Sequence, residues 1–166
     1  EGDLDIYVSR DGSNQLYRNN SDGTFTDISN ISDIILNEEN TLDQVFGDFD
    51  DDGDVDMVVL NENSSVIYYD NIRQGYFKDI TKRSGLTHKG SPSSIATADY
   101  NNDGYLDIYI CDLNGNNSLY KNKGNGVFVF DNQLNLTPEL KEFSAKQAEF
   151  ADLDNDGYLD LIVVGK

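Results

Sequence analysis

Three segments of the chain place oxygen-bearing side chains at alternating positions ahead of a glycine. They read Asp48-Phe49-Asp50-Asp51-Asp52-Gly53-Asp54-Val55-Asp56, Asp99-Tyr100-Asn101-Asn102-Asp103-Gly104-Tyr105-Leu106-Asp107 and Asp152-Leu153-Asp154-Asn155-Asp156-Gly157-Tyr158-Leu159-Asp160. Oxygen ligands fall at positions 1, 3, 5 and 9, and a backbone carbonyl is expected at position 7, from Asp54, Tyr105 and Tyr158. A tight loop of this kind turns every second side chain inward and builds the hard-oxygen cage that Ca²⁺ takes at about 2.3–2.6 Å. Glycine at position 6 supplies positive φ at no steric cost. These are not EF-hands, because position 12 is Val59, Ile110 or Val163, where an EF-hand has a bidentate Glu, and an apolar strand follows where a helix should begin. Asp and Asn also favour ordinary turns, but three such clusters in register repel themselves unless a cation sits among them. Mg²⁺ prefers strict octahedral geometry with several waters, so the pattern favours three Ca²⁺ sites. Glu1, Asp3 and Asp5 match positions 5, 7 and 9 of a fourth loop, expected to be incomplete.

The elements that must hold these loops repeat with them. The loop glycines Gly2, Gly53, Gly104 and Gly157 recur at intervals of 51, 51 and 53 residues. After each comes a short, continuously apolar run such as Ile6-Tyr7-Val8 or Met57-Val58-Val59-Leu60, the signature of a strand covered on both faces. A Gly/Asn/Asp turn leads to a second strand centred on Tyr17, Tyr68 or Tyr120, and a Gly-x-Phe turn to a third at Phe25, Phe77 or Phe128. A longer polar connection then returns to a strand ending at Asp48, Asp99 or Asp152, where Gly47, Ala98 or Ala151 suits strands converging on a crowded axis. Four strands in about 50 residues predict an all-β fold, a partial β-propeller of four-stranded antiparallel blades with calcium-binding hairpin loops. A β-solenoid is the runner-up, its rungs being shorter. The only helix expected is a turn or two near Pro138 to Phe143.

One blade is expected from about Leu42 to Thr81 and the next from about Ser93 to Asn132, with an earlier blade lacking its innermost strand and a later one stopping after its second. Residues 1–166 then form a single repeat domain of units 2–52, 53–103 and 104–156 and a partial unit 157–166. Such a piece cannot close on itself, so the remaining blades of a longer parent chain, or neighbouring subunits, are expected to cover its open faces.

Composition narrows the partners. A net charge of −19 repels nucleic acid and anionic membrane, and no apolar run is long enough for membrane insertion. The single Cys111 forbids an intramolecular disulfide and reads as a buried strand residue. His88, the only histidine, sits in a polar connection and reads as a solvated loop residue rather than a catalytic base. No nucleophile elbow, zinc spacing or phosphate loop is present, so no catalytic or organic-cofactor residue is assigned.

The Asp-x-Asp-x-Asp-Gly-x-x-Asp loop before a β-strand, followed by Leu-Tyr-x-Asn and Gly-x-Phe, resembles the FG-GAP and VCBS-type repeats of extracellular β-propellers, including the integrin α-subunit head. That resemblance implies a calcium ion in the hairpin loop of each blade. Phe46-Gly47 keeps part of the Phe-Gly element in one unit and no unit shows Gly-Ala-Pro, which is closer to VCBS-like secreted forms than to integrins.

Two functions follow as expectations. The first is a non-catalytic module of a secreted or cell-surface protein, stiffened by calcium and serving structure, adhesion or recognition of a protein or glycan. The second is the propeller portion of a polysaccharide-active enzyme of lyase or dehydratase type. Tyr69, Tyr76 and Tyr100 are candidates for stacking on sugars, although strand alternation buries many aromatics. Sequons at Asn19, Asn30, Asn63, Asn116 and Asn135 are compatible with a glycoprotein, and calcium loops suit the millimolar Ca²⁺ outside cells.

Overall fold

The computed structural model describes residues 3–10, 12–34, 39–132 and 143–166. The first sheet joins β1 (Ile6–Val8), β2 (Gln15–Asn19) and β3 (Phe25–Asp27), and the second joins β4 (Thr41–Gly47), β5 (Asp56–Asn61), β6 (Val66–Asn71) and β7 (Phe77–Asp79). A single helical turn, α1 (Thr81–Ser84), leads to the third sheet, of β8 (Pro92–Ala98), β9 (Asp107–Asp112), β10 (Ser118–Asn122) and β11 (Phe128–Phe130). The last sheet pairs β12 (Ala145–Ala151) with β13 (Asp160–Gly165), and every pairing is antiparallel between sequence neighbours. The expected all-β units therefore appear as three, four, four and two strands. The helix expected near Pro138 to Phe143 lies outside the described residues except for Phe143, which is not helical; α1 was not foreseen.

The sheets stack face to face, because strand alternation gives each middle strand two apolar faces. In β5, Met57 and Val59 meet Leu16, Ile28 and Tyr69 on the side of the first sheet, while Val58 and Leu60 meet Ile95, Ile108 and Phe128 on the side of the third. A further cluster of Ala96, Tyr109, Cys111, Leu119, Ala145 and Ala148 joins the third sheet to the last. All six residues of β5 and of β9 are buried. In β13 only Leu161 and Val163 pack inward, and Ile162 and Val164 are exposed.

Register corrects one expectation. Met57 lies opposite Tyr69, as Ile6 lies opposite Tyr17 and Ile108 opposite Tyr120, so the repeat-equivalent aromatic of the second strand is Tyr69. Tyr68 points to the opposite face, where it packs against Phe49 and Phe128. Two adjacent tyrosines cannot be ranked by type, and a slip of one residue exchanges the faces.

Strands β4, β8 and β12 lie beside one another. The Asp43 carboxylate accepts the Ile95 N–H across the β4–β8 junction at 3.1 Å, and the Ser93 hydroxyl donates to the Ala145 carbonyl across the β8–β12 junction at 2.8 Å. The small residue ending β4 has a specific cause: a Cβ built on Gly47 would stand 2.5 Å from Leu106 Cδ1 in the loop before β9. Gly75 and Gly126, the glycines of Gly-x-Phe, likewise have Ile28 and the Tyr68 ring of the preceding sheet at 2.8 Å from a built Cβ.

Candidate metal loops

The three acidic loops connect β4 to β5, β8 to β9 and β12 to β13 and share one backbone design. The position-1 carboxylate caps the turn. Asp48 accepts the N–H groups of Asp52 and Gly53 at 3.1 and 3.0 Å, Asp99 those of Asp103 and Gly104 at 3.0 and 2.8 Å, and Asp152 those of Asp156 and Gly157 at 3.1 and 3.0 Å. The position-5 carboxylate accepts the N–H of position 7 in each loop, at 2.9 Å for Asp52, 3.1 Å for Asp103 and 2.9 Å for Asp156. The predicted positive φ holds at Gly53, Gly104 and Gly157. Position 4 is left-handed too, with φ of 63° at Asp51, 56° at Asn102 and 60° at Asn155, which explains a short Asp or Asn there that sequence reasoning passed over.

The position-9 aspartates are anchored from the second strand. Asp56 Oδ1 accepts the Asn71 N–H at 2.9 Å, while its Oδ2 accepts the Phe49 N–H at 3.1 Å and the Tyr68 hydroxyl at 2.8 Å. Asp107 likewise accepts the Asn122 N–H at 2.7 Å, and Asp5 the Asn19 N–H at 2.8 Å. The same asparagines turn their amides onto the residue before the aspartate: Asn71 donates to the Val55 carbonyl, Asn122 to that of Leu106 and Asn19 to that of Leu4. The Asn of Leu-Tyr-x-Asn is therefore the clamp on the loop exit, readable in sequence only as a fixed spacing. Burial raises the carboxyls of Asp56 and Asp107 to about 6, against hydrogen bonds that pull them down.

Position 3 separates the loops. Asp48, Asp50 and Asp56 each present an oxygen within 4.8 Å of the others, as do Asp152, Asp154 and Asp156. In the first group, Asp50 Oδ1 is buried and accepts no hydrogen bond. Burial and then Asp52, Asp70 and Asp48 raise its carboxyl above the ordinary range. This donor set fits a hard cation: three converging carboxylates, one holding an unused buried lone pair. Asp52 stands outside that group. Asp54 turns its side chain to Arg73 Nε at 2.6 Å, which leaves only its carbonyl as a candidate. In the last loop Asp160 is exposed and takes the Leu153 N–H at 3.1 Å, and its role in the group passes to Asp156.

The middle loop is built differently. Among the described residues Asp99, Asp103 and Asp107 form no such group. Asn101 directs its amide N–H to Asp107 Oδ2 at 2.8 Å, and Lys121 Nζ lies 2.8 Å from Asp103 Oδ2. The Lys121 ammonium holds the Asp103 carboxyl below its usual range. At position 7, the Tyr105 ring would lie 3.1 Å from a Cβ on Gly124, and Tyr158 is exposed. In the partial first loop Asp3 receives the Ser21 hydroxyl, and Glu1 lies outside the described residues.

Other candidates move. His88 is not a solvated loop residue: its side chain is fully buried, with Nε2 at 2.9 Å from Asp112 Oδ2. A polar stretch hid the pairing because Asp112 lies 24 residues further on. Asp112 also accepts the N–H groups of Ser91, Asn114 and Asn116; burial pushes its carboxyl up, but these bonds together hold it below the ordinary value. Cys111 is free and buried, as expected. Of the sugar-stacking candidates, Tyr69 is buried in the core and Tyr100 bonds Asp131, leaving only Tyr76 exposed. Asn30, Asn63 and Asn116 are exposed and Asn19 half-buried, and Asn135 lies outside the described residues. No helix among the described residues is long and apolar enough to cross a membrane.

Comparison with known proteins gives the same unit. The FG-GAP-like repeat model matches residues 1–59, 48–110 and 99–163, so that consecutive matches overlap on an acidic loop and the start of the strand after it. The chain is 29% identical over 175 residues to Cartilage acidic protein 1 of Xenopus tropicalis, covering 96% of this chain and 26% of that protein. It is 28% identical over 174 residues to Cartilage acidic protein 1 of Homo sapiens, covering 96% and 25%. The chain thus spans about a quarter of the length of the curated relatives it matches.

Proposed function

The chain belongs to the FG-GAP-like repeat family, and from that premise we propose that it is a calcium-stiffened run of β-propeller blades in a secreted or cell-surface protein, with a structural, adhesive or recognition role. The observation that carries the calcium reading is Asp50 Oδ1, a buried acceptor with no donor, grouped with carboxylate oxygens of Asp48 and Asp56. Asp48, Asp50 and Asp56 hold one ion, with Asp52 and the Asp54 carbonyl completing the shell; Asp152, Asp154 and Asp156 hold a second with the Tyr158 carbonyl and Asp160. The middle set of Asp99, Asn101, Asp103, the Tyr105 carbonyl and Asp107 has one carboxylate fewer and is the weakest of the three expected sites. Where it is bound, Ca²⁺ supplies the positive charge that offsets the repulsion within a loop and ties the ends of two strands together.

The stacked sheets support the propeller reading, with β4, β8 and β12 as innermost strands and units 2–52, 53–103, 104–156 and 157–166 of one repeat domain. The exposed Ile162 and Val164 lie on the face that, one unit earlier, the next sheet covers; further blades of a parent chain or neighbouring subunits occupy it in this reading. An extracellular setting is supported by the sequons, by calcium demand and by relatives named for cartilage. The partner class is a protein or glycan, engaged without catalysis.

Melting the protein in calcium and in EGTA tests the calcium part, because an ion held only by the folded state raises stability by mass action. A higher melting temperature with calcium is expected; superimposable melts would discard it.

A further inference from the structure

Resting on the reading of these loops as cation sites, we infer that Lys121 is the resident cation of the middle loop, so that the Asp99 loop is neutralised by the protein itself and does not take up calcium. The repeat register carries this. Lys121 in β10 is the residue before the clamp Asn122, as Asp70 in β6 precedes Asn71. Position 70 is thus the same place in the unit beside the Asp48 loop, and Asp70 is one of the charges acting on Asp50.

Beside these two loops the residue before the clamp asparagine is charged, and its sign follows position 3; Arg73 and Arg83 also bear on the Asp48 loop, and Lys123 on the Asp99 loop. Beside the Asp48 loop, whose positions 1, 3, 5 and 9 are all carboxylates, the strand adds a fifth carboxylate. Beside the Asp99 loop, whose position 3 is the neutral Asn101, it adds an ammonium 2.8 Å from Asp103 Oδ2. Asn101 then spends its amide on Asp107 Oδ2, and no three carboxylates converge. A divalent ion entering this loop has to displace the ammonium from Asp103 and meets it within a few ångströms. At that range the like charges repel, although water reaching both side chains screens the effect. Two independent differences, at loop position 3 and on the neighbouring strand, point the same way.

Exchanging the two strand residues is the test, read as bound calcium per chain by equilibrium dialysis with metal analysis, with folding checked by circular dichroism. Lys121→Asp is expected to bind one ion more than the unsubstituted protein, and Asp70→Lys one fewer. An unchanged count in folded Lys121→Asp overturns the inference, as does an unchanged count in Asp70→Lys. If Asp70→Lys does not fold, the Lys121→Asp count alone decides. Absence of bound calcium in the unsubstituted protein discards the calcium reading itself, an outcome distinct from either.

Discussion

At the scale of single residues, the loops divide labour among carboxylates that look alike in sequence. Positions 1 and 5 satisfy backbone N–H groups inside the turn, and position 9 is pinned by the second strand. These bonds alone would justify Asp at all three places in a metal-free turn. Asp50 is the exception, since Oδ1 serves no donor and its neighbours are like-charged. Asp50→Asn should therefore weaken calcium at its loop by on the order of tenfold or more, while leaving the melt in EGTA unchanged or slightly higher. Calorimetric titration reads the first and thermal denaturation the second. A large loss of stability in EGTA would mean that Asp50 serves the turn rather than the ion.

At the scale of elements, each β-sheet is short, and its contacts to the next are made through places where one sheet yields volume to another. Gly47 ends β4 where Leu106 of the neighbouring loop reaches across, and Phe49 from the Asp48 loop inserts between Tyr68 and Phe128, with centroids 5.8 and 5.9 Å away. The Asp48 loop is thereby fixed to the third sheet as well as to its own. Gly47→Ala should destabilise by about 1–3 kcal/mol through overpacking against Leu106, whose terminal methyl has to shift. Adding Leu106→Ala should recover part of that loss. Additive losses in denaturant melts of the single and double variants would show that the strain lies elsewhere.

At the scale of the whole molecule, charge sets the response to pH. Asp56 and Asp107, in two different sheets, have carboxyls raised by burial to about 6 in the folded state, against about 3.9 unfolded. Between those values the folded protein binds more protons than the unfolded chain, so stability without metal falls as pH rises through that window and recovers on acidification. Asp112 and Asp103, which are held below the ordinary range, oppose this only at lower pH, where their own protonation begins. Lowering the net charge of −19 acts in the same direction. In calcium-free buffer the melting temperature should be higher at pH 5 than at pH 7, and calcium should abolish or reverse the difference. A metal-free melt that drops between pH 7 and pH 5 would contradict it.

The sequence by itself determined the period, the number and order of strands in each unit, the loop glycines at positive φ and the alternation of oxygen-bearing side chains, because each is a local property of side-chain type and spacing. It also placed Cys111 inside, since a continuously apolar β9 has to be covered on both faces. Register placed Tyr69 rather than Tyr68 as the equivalent aromatic, where the 51-residue period points to Tyr68 and the Tyr-x-Asn spacing to Tyr69. The burial of His88 on Asp112 arose from a partner 24 residues away. Lys121 and Asp70, whose charges bear on the loops, belong to strands that local spacing does not connect to them. Alternation along one strand is written in neighbouring residues, whereas the charge a loop meets depends on which strand folds back beside it.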